Sequence, residues 1–529
     1  MFGLLLGLVC WVFRVVSQAT GPAPWPILGN LAEIKWKGEC FALADWKAQY
    51  GNIFVVWLGP TPMWVVSDPD VSRAMLSRNV DKPPYVSESK SYSESILAFA
   101  NGPHYRKLKL HWTPLFLQGS LQHYITLMEG GAKNLVASLQ PQAGSAAIDI
   151  IPFFDAHVLE VAISAAFGVE LHTQTGDPLM KPDAYDQKLV AAVCGRSGTA
   201  GVSSQWATPM MLFPALRPLF HFLSSRFPDP AAAKRFESMQ RLNGFIQDLI
   251  HGEHAAIAQR SSADLGMAKR KGVLPGSFLS LLVAQSQGGE RLTEAEIVAQ
   301  AFFFIVAGFS TSVDAMPCLM YNLAGHPDKL KTAHAEVDAA GPDFVPTLDN
   351  LEGFPYLTAC LRESLRLFPP ISATKRYARE GGALGPFHVA VGDMLCGATY
   401  TLHRDAELWD NPTSFVPERF LDTKDGNKPD IRKGTLNTFG EGMRSCIGQK
   451  FAKMEIKITL IRLLQAYTRW PPVKPPSPSP HSPSPRCSSL TRASTSPFTA
   501  EHEVNNPRRI RDQKYCRGHF TRAHEAAVE

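Results

Sequence analysis

Phe439-Gly440-Glu441-Gly442-Met443-Arg444-Ser445-Cys446-Ile447-Gly448 is the most specific stretch in this chain of 529 residues. Its glycines allow a tight loop whose backbone can come close to a flat group. Arg444 offers a cation to a carboxylate, and Cys446 offers a sulfur. Directly afterwards Phe451, Ala452, Met454, Ile456 and Ile458 recur with the period of a helix, so a helix is predicted to start just past Gly448. A thiolate ahead of a helix N-terminus is favoured by the helix dipole and by backbone N–H groups. The plainer reading of a lone cysteine is a buried structural one.

Around this loop the chain is that of a large globular protein. Hydrophobic residues make up 45% and charged ones 19%, which excludes a disordered or collagen-like chain. Lys+Arg 53 less Asp+Glu 48 leaves +5, too mild an excess to point to nucleic acid. The nine cysteines are scattered, odd in number and without a Cys-x-x-Cys pair, so neither a disulfide framework nor a zinc ribbon is supported, and a reducing compartment is the simpler reading. There is no internal repeat and no glycine-rich phosphate loop. Ile53 to Leu58 and Met63 to Val66 are short apolar runs flanking Gly59-Pro60-Thr61-Pro62, which predicts a β-hairpin with a four-residue turn. Pro386 to Asp393 also reads as strand and turn. Val158 to Phe167, Ala232 to Ile257 and Phe278 to Ala284 read as helices. The class is mainly α with minor β.

One helix stands apart. Thr293 can cap it, with Glu296 three residues on to complete a capping box. From Ile297 to Ala307 it is nearly all apolar, so it is predicted to run buried through the centre of the domain. Gly308-Phe309-Ser310-Thr311-Ser312 then brings in a glycine and three hydroxyls, and Pro317 follows. Hydroxyls compete for backbone carbonyls and can bend a helix. One reading is a core helix with a packing kink; the sharper one is a groove opened for a ligand beside Gly308 and Thr311.

The ends differ from the body. Residues 1–16, MFGLLLGLVCWVFRVV, are apolar except for Arg14. Phe2 to Phe13 would rise only about 18 Å as a helix, against roughly 30 Å of hydrocarbon. A short membrane anchor is the first reading. A secretory signal ending near Ser17-Gln18-Ala19 and a truncated or misassigned organelle-targeting start are the others. Residues 17–26 hold Gly21-Pro22-Ala23-Pro24-Trp25-Pro26, a stiff hinge. Residues 27–470 form the body. Residues 471–529 are Pro/Ser-rich and then basic, with Arg508-Arg509-Ile510-Arg511. This tail is predicted to be disordered and solvated, the alternative being out-of-frame or intronic sequence after a truncated domain.

Thiolate-ligated haem requires a soft anionic ligand, N–H donors that tune it and a protected pocket. On those parts the chain resembles the cytochrome P450 family, through Phe-x-x-Gly-x-Arg-x-Cys-x-Gly at 439–448. A chance match of the five fixed residues is on the order of one in ten thousand for a chain this long. Other motifs follow the family's order. Glu363-Ser364-Leu365-Arg366 matches Glu-x-x-Arg, and Pro417-Glu418-Arg419-Phe420 resembles its arginine-bearing partner segment. The resemblance implies that Glu363, Arg366 and Arg419 form a structural network behind the cysteine loop. Ala307-Gly308-Phe309-Ser310-Thr311-Ser312 resembles Ala-Gly-x-acid-Thr-Thr. Thr311 matches a threonine that helps deliver protons, while Ser310 stands where an acid is common and cannot titrate near neutral pH. Tyr105 and Lys109 stand where the family has a tryptophan and an arginine at a haem propionate; Arg106 and Lys107 beside them read as solvated surface. Arg376 and Arg444 match further propionate-binding arginines.

The resemblance, over roughly residues 21–470, implies a P450 fold: a long buried helix over haem b and a small β-rich lobe. Cys446 would ligate the metal. Arg444, Phe439, Gly440, Tyr105, Lys109, Arg376 and Gly308 would bind the cofactor, and Thr311 and Ser310 are the candidate catalytic residues. It implies a haem-thiolate monooxygenase that inserts one atom of O2 into an apolar small-molecule substrate, with electrons from NADPH through NADPH–cytochrome P450 reductase. The alternatives are a reductase-independent isomerase or dehydratase of peroxides on the same haem, and an inactive truncated or misassembled member. Pro83 to Phe99, Ser203 to Arg226 and Phe302 to Ser310 would select the substrate, and their side chains say only that it is apolar. Lys450 and Lys453 either face an acidic redox partner or form an ordinary exposed helix face. The anchor implies the cytosolic face of the endoplasmic reticulum membrane, or else a plastid or other organelle membrane; no nucleic-acid partner is expected.

Overall fold

The computed structural model describes residues 20–77, 80–82, 95–142, 150–168, 174, 209–210, 216–227, 237, 240–251, 277–285, 291–422 and 431–467. These all belong to one compact unit, Met1–Ala493. The anchor, residues 17–19 of the hinge, the tail, residues 83–94 and most of 203–215 lie outside the described residues.

Strands β1 (Ile53–Leu58) and β2 (Thr61–Val66) pair antiparallel, Ile53 opposite Val66 and Leu58 opposite Thr61. Successive side chains go to opposite faces. Phe54, Val56, Met63 and Val65 meet Leu43 and Trp46 of helix α1 (Glu39–Tyr50). Val55, Trp57, Trp64 and Val66 pack with Met75 and Leu395. With both faces covered, the strands carry uninterrupted apolar runs. The turn is shorter than the sequence suggests: β2 starts at Thr61, and Pro62 sits in the ladder opposite Trp57. Pairing with the next strand begins only at Met63, so Pro62 is beyond that edge, where a missing N–H is tolerated.

The remaining strands are β3 (Val80–Asp81), β4 (Thr374–Ala378), β5 (Gly382–Leu384), β6 (Phe387–Val389) and β7 (Met394–Gly397). The sheet runs β1-β2-β7-β4-β3, with β2 and β7 parallel, and β5-β6 is a separate hairpin. The sheet thus joins both halves of the chain, and β3 and β4 bring Lys82 and Arg376 toward one end of it.

The helical part surrounds one large core. Its main members are α2 (Gly102–Trp112), α3 (Gln118–Leu139), α4 (Ile151–Phe167), α5 (Phe278–Gln285), α6 (Glu294–Gly325), α7 (Pro355–Leu367) and α8 (Gln449–Ala466). Within Ala232 to Ile257, residues 240–251 are helical and bury Leu242, Ile246 and Ile250 at a spacing of four. Helix α6 begins as expected: Thr293 Oγ1 accepts from Glu296 N at 3.2 Å, and Thr293 N donates to Glu296 Oε2 at 2.7 Å. Its length and apolarity would suffice to cross a membrane, but 61% of its most apolar window is buried inside the fold. It is the core helix of this architecture, mainly helical with a small sheet.

Candidate haem-binding site

The 439–448 loop closes on its own backbone. Cys446 N donates to Phe439 O at 2.8 Å, and Ser445 N to Gly442 O at 3.1 Å. Gly440 and Gly442 adopt φ of 69° and 71°, a left-handed conformation that a side chain would strain. A single 3-10 turn, Gly442–Arg444, leads to Cys446, and α8 follows from Gln449. Cys446 is exposed. The protein crowding its sulfur still pushes the thiol pKa up, partly offset by a hydrogen bond with the Gly448 backbone. The expected help from the helix N-terminus is present but does not win in the polypeptide alone. A coordinating metal would reverse the balance, because it deprotonates a thiol outright.

Four cationic side chains gather beside the loop. The Arg444 guanidinium lies 3.4 Å from the Tyr105 ring centroid, and its Nη2 donates to Asn101 Oδ1 at 2.9 Å. Its Nη1 is buried and has no hydrogen-bond partner among the described residues. Arg376 is buried; Nη1 donates to Lys375 O at 2.8 Å, and Nε likewise lacks a described partner. Burial and the neighbouring Arg444 push the Arg376 pKa down to about 10. Burial, Arg376 and Arg444 bring Lys82 down to about 7. The nearby carboxylate of Asp81 is paired with Arg379 at 3.1 Å. Buried N–H groups left unpaired cost stability unless an anion answers them. Two guanidiniums with open donors, next to an accessible sulfur, therefore suit a cofactor with carboxylates on one edge and a metal at its centre.

Tyr105 and Lys109 reach the same loop. Tyr105 Oη and Lys109 Nζ both donate to the Met443 carbonyl, at 2.7 and 2.6 Å. They pin the backbone three residues before Cys446. Lys107, expected to be mere surface, pairs with Glu296 at 3.0 Å and so ties α2 to the start of α6; Arg106 is exposed. Lys453 lies over the Phe439 ring, 5.4 Å from its centroid, and is half-buried, whereas Lys450 is exposed.

Through its middle, helix α6 is largely buried but open along one stripe. Phe303, Val306, Ala307, Ser310, Thr311 and Asp314 are half-exposed, while Phe302, Phe304, Ile305, Phe309 and Ser312 are buried. A spacing of three and four places the half-exposed residues on one face. A Cβ built on Gly308 would meet no atom within 4 Å, so there is open space beside it. Ser310 Oγ donates to Val306 O and Thr311 Oγ1 to Ala307 O, each at 2.8 Å, the back-bonding that the run of hydroxyls predicts. Of the aromatic triplet only Phe303 belongs to the open stripe. Phe302 is buried in the core, and Phe304 packs against Phe278 with centroids 4.4 Å apart. On the far side Ser312 Oγ donates to Glu455 Oε2 of α8 at 2.9 Å, which fixes the central helix against the helix that follows the cysteine loop.

The sequence pattern of the family described as Cytochrome P450 matches residues 20–494. The chain belongs to the cytochrome P450 family. It is similar to Cytochrome P450 3A15 of Cavia porcellus, 27% identical over 85% of each chain. It is similar to Cytochrome P450 3A56 of Fundulus heteroclitus, 28% identical over 88% of this chain and 90% of the relative. With Cytochrome P450 3A5 of Homo sapiens it shares 27% identity over 85% of this chain and 84% of the relative. The protein is a haem-thiolate monooxygenase, an oxidoreductase that uses haem, dioxygen, an organic substrate and a redox partner.

In this P450 the network behind the loop is complete. Glu363 and Arg366 are fully buried on α7. Arg366 Nε and Nη2 each donate to Glu363 at 2.8 Å, Nη1 donates to the carbonyls of His403 and Pro412, and Nη2 also reaches Ser414 O. All five N–H donors of the guanidinium are therefore used. Arg419 Nε donates to Glu363 Oε1 at 3.1 Å. Sequence reasoning missed Lys82 and Glu455. Lys82 sits just before an unassigned Pro-Pro, where no motif marks it. Glu455 lies among apolar residues of a periodic helix, and that signal, an acid on the buried face of α8, was open to reading.

Proposed function

We propose that Cys446 Sγ would ligate the iron of haem b. Arg376 and Arg444 hold its propionates, with Tyr105 and Lys109 bracing the loop between them, while Phe439, Gly440 and Gly308 supply walls for the ring. The observation that carries this reading is a pair of guanidiniums, each with a buried donor that no described residue answers, beside the loop that exposes Cys446. Haem, when bound, supplies two-electron activation of dioxygen, so that one oxygen atom enters a C–H or C=C bond and the other leaves as water.

The residues contribute position and protons. Thr311 and Ser310 hold hydroxyl protons at the carbonyls of Ala307 and Val306, on the open face of α6. Each hydroxyl can also accept from water, so together they form a short path for protons. With no acid at 310, the path depends on relay and not on a titrating group. The half-exposed Phe303, Val306 and Ala307 leave an apolar wall for the substrate.

NADPH–cytochrome P450 reductase is the electron donor in this reading, docking on the face that carries exposed Lys450. Residues 1–16 anchor the protein in the endoplasmic reticulum membrane with the body in the cytosol, 17–26 act as a hinge, 27–470 form the catalytic domain and 471–529 a solvated tail. No observation favours a peroxide isomerase. The reduced carbon-monoxide complex tests the ligand. A strongly red-shifted Soret band is expected, and Cys446→Ser should lose it. Survival of the band in that variant would refute the assignment.

A further inference from the structure

Asn101 occupies the N-cap position of α2, yet its side chain makes no capping bond. Asparagine is favoured there because its side chain can satisfy a free N–H of the first turn. Here the amide is turned the other way. Oδ1 accepts from Lys82 N at 2.8 Å and from Arg444 Nη2 at 2.9 Å, and Nδ2 donates to Lys82 O at 3.1 Å. One side chain thus pairs with both backbone groups of the residue after β3 and with the guanidinium two residues before Cys446.

The consequence for Arg444 is geometric. The guanidinium carbon lies over the Tyr105 ring, and among the described residues the hydrogen bond to Asn101 sets the rotation of the group. That bond takes Nη2 and leaves Nη1 unpaired. Without it the guanidinium could turn on the ring and satisfy itself elsewhere. We propose that Asn101 is a positioning residue for the cofactor: it holds Arg444 so that Nη1 meets a haem propionate, and it locks the end of β3 to the same point. This rests on the haem-site reading above.

The test compares rates of haem transfer from the purified holoprotein to an excess of haem-free globin. Wild type is first checked for haem uptake with the thiolate spectrum; a wild-type chain that takes up none overturns both readings before any variant is made. Asn101→Ser keeps an excellent helix cap but is too short to span Lys82 and Arg444. It should lose haem about 10–100-fold faster, the usual effect of removing a partner that orients a ligand-binding group, while the far-UV circular dichroism of the protein is unchanged. In an Arg444→Lys background the same change should add no more than about twofold, the scatter of independent sites. Haem loss by Asn101→Ser at the wild-type rate would overturn the proposal. So would an acceleration of equal size in both backgrounds, because Asn101 would then act without Arg444.

Discussion

Thr311 and Ser310 sit next to each other on the open face of α6, each hydroxyl donating to the carbonyl four residues back. Thr311→Ala removes a proton carrier without opening the core, so NADPH oxidation should continue while product per NADPH falls about tenfold or more. The ratio of product to NADPH measures this, and unchanged coupling would mean that protons travel by another route. Glu455 is the other residue with a distinct chemistry. It is fully buried, among the described residues only the Ser312 hydroxyl bonds its carboxyl, and burial pushes its pKa up to about 8. The unfolded carboxyl titrates near ~4.3. Between those values the folded state binds the extra proton, so this group's contribution to stability is lost as pH rises from the lower value through the upper one. Glu455→Gln cannot titrate. It should flatten the fall in unfolding midpoint between about pH 5.5 and pH 8.5 and be the more stable protein at the higher pH. The same slope in both proteins would show that Glu455 is already ionised in the fold.

The start of α6 is where local sequence and tertiary contact coincide. The Thr293–Glu296 capping box closes the first turn, and Glu296 also receives Lys107 of α2 at 3.0 Å. Thr293→Ala should cost about 1 kcal/mol, the usual value for a lost cap, read as a lower urea midpoint with an unchanged slope. Lys107→Ala removes a half-buried pair and should cost less, on the order of 0.2–1 kcal/mol. A larger loss for Lys107→Ala than for Thr293→Ala would mean that docking of α2, and not the cap, sets the start of the helix. The same element shows why periodicity alone misplaces substrate residues. An all-apolar run gives no hint of which side faces open space, and packing against Phe278 takes Phe304 into the core.

Across the whole molecule the buried Glu363–Arg366–Arg419 network joins α7 to the segments around 403–419 behind the cysteine loop. Glu363→Ala would leave Arg366 buried without its carboxylate, and breaking such a pair from one side costs about 3–5 kcal/mol. Thermal unfolding and haem content should fall together; a variant of wild-type stability would show that water or rearrangement replaces the acid. Much of the plan was legible in the chain itself. The order of motifs, the Thr293 start of α6, the hairpin strands and the spacing of Gly440, Gly442 and Cys446 depend on neighbours within a few residues, where propensity, capping and backbone freedom act. Tertiary structure alone decided the rest. It turned Asn101 away from its helix toward Arg444, sent Tyr105 and Lys109 to the Met443 carbonyl, brought Lys82 against two arginines, and left one stripe of α6 open. Those outcomes depend on contacts between residues hundreds of positions apart, and no local pattern encodes which partner arrives.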